Sequence, residues 1–576
     1  MTPTFIDIET NGFFPDTIWC VCVKWDGRKE YFTNATKFNE WLEKETRHFV
    51  AHDGFAFDYP WLECLWNVDW SPHVLDDTCV RSQLADPRRS GGHALAAWGE
   101  RLGFPKDSFS DFDSFSLDML KYCQRDVEVT ERVWRQVLKE LDGFSEESIQ
   151  LELETAEIVG RQKHRGWLLD ERGAHELLGE IREAIWDVQD RVREVFVPLP
   201  KFVKVVEPRE KQDGTLSKVG LKYLGERWTE VAGPHSRIDY PEFNLGSRQQ
   251  IGERLIRAGW KPTEFTETGQ PKVDEDTLEG VDIPEAQLIC EYLMLQKREG
   301  MINSWLKAMG PDGRVHGSVH TCGAVTRRMA HFDPNMAQVT SNNKPWGKRM
   351  RELWIAKEGY KIVGVDADQL ELVCLAHYMN DPDYIKAVAE GRKEDETDVH
   401  NVNKRAAGLD SRDAAKTFIY AFLYGAGNAK IGSIVGGGSR EGARLKSRFL
   451  SGLPALEQLK ERVESVGRRG YLRLLDGGRV KSEGNYTDLN RLLQGTGAIV
   501  MKEALRILNA SMKEHGIVGG FVGNIHDEIQ AEIREDCVKE YATLAERAIT
   551  AAGESLGLRC PLRGTANIGN NWSETH

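Results

Sequence analysis

Three sets of residues have the types and spacing to do chemistry. Arg412, Lys416, Tyr420 and Tyr424 recur every four positions in a stretch, 412–425, that has no proline and holds its single glycine, Gly425, at the end. A glycine there reads as a helix stop. Four-residue steps turn a helix by about 400°, so the four side chains form one slowly drifting stripe while Ala415, Phe418, Ile419 and Phe422 are free to bury. Two cations one turn apart repel each other, so an anion beside flat aromatic faces would suit the stripe. A polyphosphate carrying a base fits that description, although an amphipathic helix with a basic solvent edge would look the same in isolation. Asp7 and Glu9 form the second set. They alternate on a strand-like run, Thr4 to Glu9, that ends in the turn signal Asn11-Gly12, so both point to one face. Carboxylates about 7 Å apart repel by roughly 2 kcal/mol at an effective dielectric of about 20, a cost that a divalent cation reverses. The third set is Asp366, delivered by the strand-like run Tyr360 to Val365, and Asp527, at the tip His526-Asp527-Glu528 between the short apolar runs 521–525 and 529–533. If those strands are neighbours in one sheet, the two carboxylates converge, as two-metal phosphoryl transfer requires.

The elements that position these residues belong to a long soluble chain. Its 576 residues exceed a single core, so two to four domains are expected. Hydrophobic content of 40% with 29% charged residues excludes a disordered chain. No apolar run reaches membrane-spanning length and the first residues lack a signal-peptide pattern, so a cytoplasmic location is expected, with no membrane partner. Ten cysteines without a CxxC pair argue for reduced thiols and against a zinc site. The net charge of −14 and pI of about 5.7 speak against a nucleic-acid binder. Local basic clusters at Arg327-Arg328, 344–351 and 440–448 leave room for a basic cleft in an acidic shell. Between Glu146 and Lys307 the texture becomes helical, with helices expected at 148–163, 172–196 and 287–307, a Ser247 cap before Arg248, and loops across 198–241.

Further residues complete the second set. Asp58 follows the loop His52 to Phe57, and Tyr122 and Asp126 stand four apart on a helix face. Together Asp7, Glu9, Asp58, Tyr122 and Asp126 resemble the motifs of the proofreading 3′–5′ exonuclease family, in which four acids bind metals and the tyrosine orients the attacking water. The segments Asp76-Asp77-Thr78 and 92–99 resemble its phage members, but Asp53 stands where that family usually has Asn. Likewise 365–371, 412–425 and 522–528 resemble motifs A, B and C of family A DNA polymerases, in matching order and spacing. The similarity runs from Asp7 to Trp572. It is nearest to the replicative polymerases of short-tailed bacteriophages, with bacterial DNA polymerase I more distant.

That resemblance implies an α/β multidomain fold: a ribonuclease H-like exonuclease domain (1–145), then a right-hand polymerase. The latter would comprise a helical thumb (146–310), an antiparallel-sheet palm in two parts (311–380 and 456–576) and helical fingers (381–455). It implies DNA-directed DNA polymerase activity with 3′–5′ exonuclease proofreading, and Mg2+ as cofactor, two ions per site, with Mn2+ an alternative. Asp366, the Ala367 carbonyl and Asp527 would bind metal in one site, and Asp7, Glu9, Asp58 and Asp126 in the other. Arg412, Lys416 and His400 would hold the triphosphate, with Lys416 a proton donor to pyrophosphate. Tyr420 and Tyr424 would flank the nascent pair, and Glu371 would exclude a 2′-hydroxyl. Arg328, Asn490, Gln494 and His526 would contact DNA; the family's usual Gly before Arg328 is Arg327 here. The implied partners are primer–template DNA and deoxynucleoside triphosphates, with a phage helicase–primase and a single-strand binding protein beside them. A host processivity factor is not expected, because the arm is short. A lone exonuclease would leave the second carboxylate pair unused, and an inactive scaffold should have lost ligands. A repair polymerase usually carries a 5′ nuclease or a proofreading domain without its acids, so replication is favoured.

Overall fold

The alternating run at the N-terminus becomes β1 (Pro3–Thr10), the centre of a five-stranded sheet. Around it lie β2 (Ile18–Trp25), β3 (Arg28–Phe32), β4 (His48–Ala51) and β5 (Val74–Asp77) in the order β3-β2-β1-β4-β5. β1 runs antiparallel to β2 and parallel to β4. The protein is described here from a computed structural model covering residues 2–207, 210–215, 234–279, 281–485 and 487–576. Both faces of β1 are covered, and this decides where its carboxylates point. Ile6 and Ile8 pack with Phe38, Trp41 and Phe49 on one face. Phe5, with Cys20 and Cys22, lies under Leu120, Cys123, Val127 and Trp134 of the long helix α2 (Leu117–Glu140) on the other. Asp7 and Glu9 share the Phe5 face by the two-residue period, so the same helix brings Tyr122 and Asp126 to them. Helix α1 (Asp58–Trp66) begins at Asp58, whose carboxylate accepts from the backbone N–H of Ile8 at 3.1 Å.

Helix α3 (Glu146–Arg165) belongs to two cores at once. Ile149, Leu153 and Ala156 pack with the N-terminal sheet, while Leu151, Ile158 and Val159 join the core of the C-terminal half. A Cβ on Gly160 would lie 1.9 Å from the Phe55 carbonyl, so only glycine permits this approach. The C-terminal core is built on a four-stranded antiparallel sheet of β6 (Tyr360–Ala367), β7 (Gly519–Ile525), β8 (Glu528–Arg534) and β9 (Gly564–Gly569), ordered β7-β8-β6-β9. Helices α4 (Leu370–Met379) and α7 (Asp488–Glu514) pack into that core. Between β6 and α7 lie α5 (Val399–Ala407) and α6 (Arg412–Leu423), with further helices at Ser439–Gly452 and Pro454–Gly467.

A second compact unit spans Arg172–Lys307. Its two long helices, Glu171–Val195 and Pro284–Ala308, run antiparallel, with Arg182 donating to Glu299 at 2.9 Å and Arg191 to Glu291 at 2.5 Å. Ser247 caps Arg248–Arg257 by accepting from the Gln250 N–H at 3.3 Å. Two expectations change here. The arm, assigned to 146–310, separates only from Arg172, because α3 is buried on both faces in the other unit. The loops assigned to 198–241 include an antiparallel ribbon, Lys201–Val206 with His235–Asp239, in which the aromatic and β-branched Phe202, Val203, Val205, Val206 and Ile238 favour extended backbone. Residues 208–209 and 216–233 of that stretch lie outside the described residues. Among the described residues no helix is long and apolar enough to cross a membrane.

Candidate active sites

Two carboxylate sites lie in the larger unit. At the first, the two-residue pleat of β1 sets Asp7 and Glu9 side by side, the start of α1 adds Asp58, and α2 adds Asp126 and Tyr122. Burial, joined by repulsion from neighbouring acids, raises the pKa of each carboxyl. Asp7 is raised well above the usual carboxylate value, by burial and then by Asp126, Glu9 and Asp58. Glu9 is pushed up to about 9 by burial and Asp126, Asp58 to about 8 by burial and Asp77, and Asp126 to about 6 by burial. Asp7 Oδ2 and Asp126 Oδ1 are buried with no hydrogen-bond partner among the described residues. Such a cluster lacks positive charge.

One cation does reach it. Lys106 Nζ pairs with the other oxygen of Asp126 and lies 4.5 Å from the Tyr122 ring centre, a residue that no spacing in the sequence singled out. The ring of Tyr122 is also held by Phe109 and Phe112, with centroids 5.4 and 6.2 Å away. Cys20, Cys22 and Cys123 bring their sulfurs within 4.8 Å of one another beside these acids, and the Cys123 thiol donates to the Asp7 carbonyl at 3.4 Å. The CxC of β2 finds its third member only through the packing of α2. Asp53 sits in the left-handed region at φ 63°, and its N–H donates to Asp77, which also accepts from Phe55 and caps the following helix at Cys79.

At the second site, β6 and β8 pair with Asp366 opposite Glu528, and the N–H of Ala367 donates to the Asp527 carbonyl at 3.1 Å. The hairpin of β7 and β8 therefore presents Asp527 at the end of the strand that carries Asp366. Burial and then Asp527 push Asp366 up to about 7, and burial raises Asp527 as well. His526 makes the turn at φ 59°. Glu528, directly across from Asp366 and a further charge that raises it, accepts from the Trp572 indole and pairs with His576, each at 2.7 Å. Neither partner was legible from spacing.

Helix α6 starts on Ser411, whose hydroxyl accepts from the Ala414 N–H at 3.0 Å, and ends at Leu423 before Gly425 at φ 73°. Ala415, Phe418 and Ile419 are buried, leaving the predicted stripe on the other side. Arg412 donates twice to Asp398 at 2.8 and 2.5 Å, and Lys416 is exposed. Asp398 also caps α5, which carries His400; that cap is the signal by which Asp398 could have been found. His400 is buried, its Nδ1 has no partner among the described residues, and burial with the Arg412 charge lowers its pKa. Tyr420 and Tyr424 stack with centroids 6.5 Å apart and planes 25° from parallel. Glu371, in the first turn of α4, accepts from the Tyr424 hydroxyl and from Arg328, both at 2.9 Å. On α7, Asn490 donates to the Leu423 carbonyl at 2.9 Å and so closes the end of α6, while Gln494 lies one turn further on, half-buried.

Sequence comparisons decide what this geometry belongs to. Residues 218–574 match the model of DNA polymerase family A. The chain belongs to DNA polymerase family A. It is 32% identical to the DNA-directed DNA polymerase of Enterobacteria phage T3, over 93% of this chain and 94% of that protein. It is 31% identical to the DNA-directed DNA polymerase of Escherichia phage T7, over 92% of each. In fold it is similar to the POL domain of Pol1 from M. smegmatis, solved in complex with DNA primer-template and dNTP, with a TM-score of 0.77 at 17% identity over 100% of this chain and 96% of that one.

Proposed function

We propose that this family A chain is a template-directed DNA polymerase that adds deoxynucleotides to a primer 3′ end, and that its N-terminal carboxylate site is a 3′–5′ exonuclease for proofreading. The observation that carries the reading is the meeting of Asp366 and Asp527 at one end of adjoining strands, near a helix that aligns two cations and two stacked phenols. Relatives named as phage polymerases over nearly the whole chain support a part in phage genome replication. On this reading residues 1–145 form a ribonuclease H-like exonuclease domain, the Arg172–Lys307 unit the thumb, 311–380 and 456–576 the palm, and 381–455 the fingers.

Both donor sets suit hard divalent cations such as Mg2+. They are carboxylates that raise one another's pKa, and the first holds two buried oxygens without partners among the described residues. Asp366, Asp527 and the Ala367 carbonyl would hold them in the polymerase site, and Asp7, Glu9, Asp58 and Asp126 in the exonuclease site. Bound there, the cations would lower the pKa of the attacking hydroxyl or water and offset phosphate charge. The side chains do the rest. Arg412 and Lys416 supply positive charge for the triphosphate, and Lys416, exposed on α6, is the proton donor for the pyrophosphate leaving group. His400, kept neutral by burial, offers one further N–H. Tyr420 and Tyr424 present flat faces to the nascent pair, while Glu371, fixed by Tyr424 and Arg328, closes the space beside the sugar C2′. Arg328, Gln494 and His526 are left to contact DNA, as is Asn490 if it exchanges its bond to Leu423. In the exonuclease site Tyr122 orients the attacking water. A 5′-labelled primer on a template tests the reading: with Mg2+ and nucleotides it should lengthen, and without nucleotides it should shorten. A folded protein that changes neither end of this balance contradicts it.

A further inference from the structure

Arg327 stands where the family resemblance leads one to expect glycine, and its side chain is only 1% exposed. Its backbone keeps the left-handed conformation that favours glycine, at φ 61°. The guanidinium crosses into α3 and the turn at Asp476. Nη1 donates to Asp476 at 2.7 Å and to the Ser148 hydroxyl at 3.0 Å, and Nη2 donates to Glu152 at 3.2 Å. Glu152 also accepts from Lys502 of α7 at 2.7 Å. Two buried carboxylates thus face two buried cations; with glycine at 327, one carboxylate would have no counter-charge. The niche is shaped for the arginine, because a Cβ on Gly478 would lie 2.3 Å from Arg327 Nη1. Arg327, Asp476 and Gly478 are therefore one unit, spread over distant parts of the chain.

The unit bears on the adjoining residue. The segment folds back on itself, with the Arg327 N–H donating to the Ala324 carbonyl at 2.8 Å and the Ala324 N–H to the Arg328 carbonyl at 3.2 Å. Anchoring the 327 side chain inward leaves Arg328 directed the other way, onto Glu371. We propose that Arg327 is a positioning residue for primer-end binding: clamped between α3 and the Asp476 turn, it fixes the backbone from which Arg328 reaches the primer. This rests on the assignment of Arg328 to the primer.

Steady-state primer extension and melting temperature, measured together on variants of the full chain, test it. Arg327→Gly should lower the melting temperature and raise the KM for primer–template about tenfold, the scale of one lost oriented bond to a charged group. The double variant Arg327→Gly/Asp476→Asn removes both members of the ion pair and leaves no carboxylate unmatched, so it should regain melting temperature yet keep the raised KM. Adding Arg327→Gly to Arg328→Ala should raise KM no further than Arg328→Ala alone. A double variant that regains both properties would reduce Arg327 to charge balance, and one that regains neither would show that the charges are not a unit; both overturn the proposal. So does an Arg327 effect that multiplies on top of Arg328→Ala. If Arg328→Ala itself leaves KM unchanged in a folded protein, the assignment of Arg328 fails first.

Discussion

Tyr420 shows how much a single atom can decide. Its phenol is half-buried, and burial with the Glu371 and Asp527 charges pushes its pKa up to about 12, so the hydroxyl stays a neutral donor across the working range. A hydroxyl there can occupy the space left by a missing 3′-hydroxyl. The protein should therefore incorporate dideoxynucleotides readily, and Tyr420→Phe should reduce that incorporation sharply while sparing ordinary extension. Comparable chain termination by the two proteins would mean that Tyr420 only packs. At this scale the sequence exposed residues that repeat or alternate, such as the α6 stripe and Asp7 with Glu9. It hid those whose partners come from elsewhere: Lys106 on Asp126, His576 on Glu528 and Arg327 on Asp476 are 20, 48 and 149 positions apart, and no local period links them.

Among the elements, β1, α1 and α2 hold four acids whose charges oppose one another, and stability should register this. Their folded pKa values lie above the unfolded ones, so the native state binds more protons. The stabilising contribution is complete below the unfolded values and is lost as pH rises through the folded ones. In chelator, the melting temperature should fall from the ordinary carboxylate range up to about pH 9, as Asp126, Asp58 and Glu9 pass in turn through their folded values of about 6, 8 and 9. Mg2+ should restore it, and more at the upper end than the lower; a Mg2+ effect independent of pH would contradict the site. Strand and helix positions here were legible because acid spacing follows the pleat and the helical turn. Helix α3 was legible as a helix but not as a shared one. Its Glu152 looks like a solvated charge in sequence, and only Lys502 and Arg327, brought by the fold, make its burial tenable. The ribbon at 201–206 was missed because its proline- and lysine-rich surroundings read as loop.

For the whole molecule, a net charge of −14 has to be reconciled with binding a polyanion. Positive charge is local: Arg328 acts on Asp527, and Arg412 and Lys416 lie on the helix whose Tyr420 feels the same carboxylate. Affinity for primer–template should therefore fall steeply and linearly with the logarithm of salt concentration, as phosphate contacts release counterions. A flat response would remove the basic cleft from the account. The central claim is that the chain carries two independent phosphoryl-transfer sites. Primer extension and single-strand degradation, measured side by side on Asp527→Ala and Asp7→Ala, test it most directly. Asp527→Ala should abolish extension and keep degradation, and Asp7→Ala should do the reverse. Loss of both activities in either folded variant would contradict it.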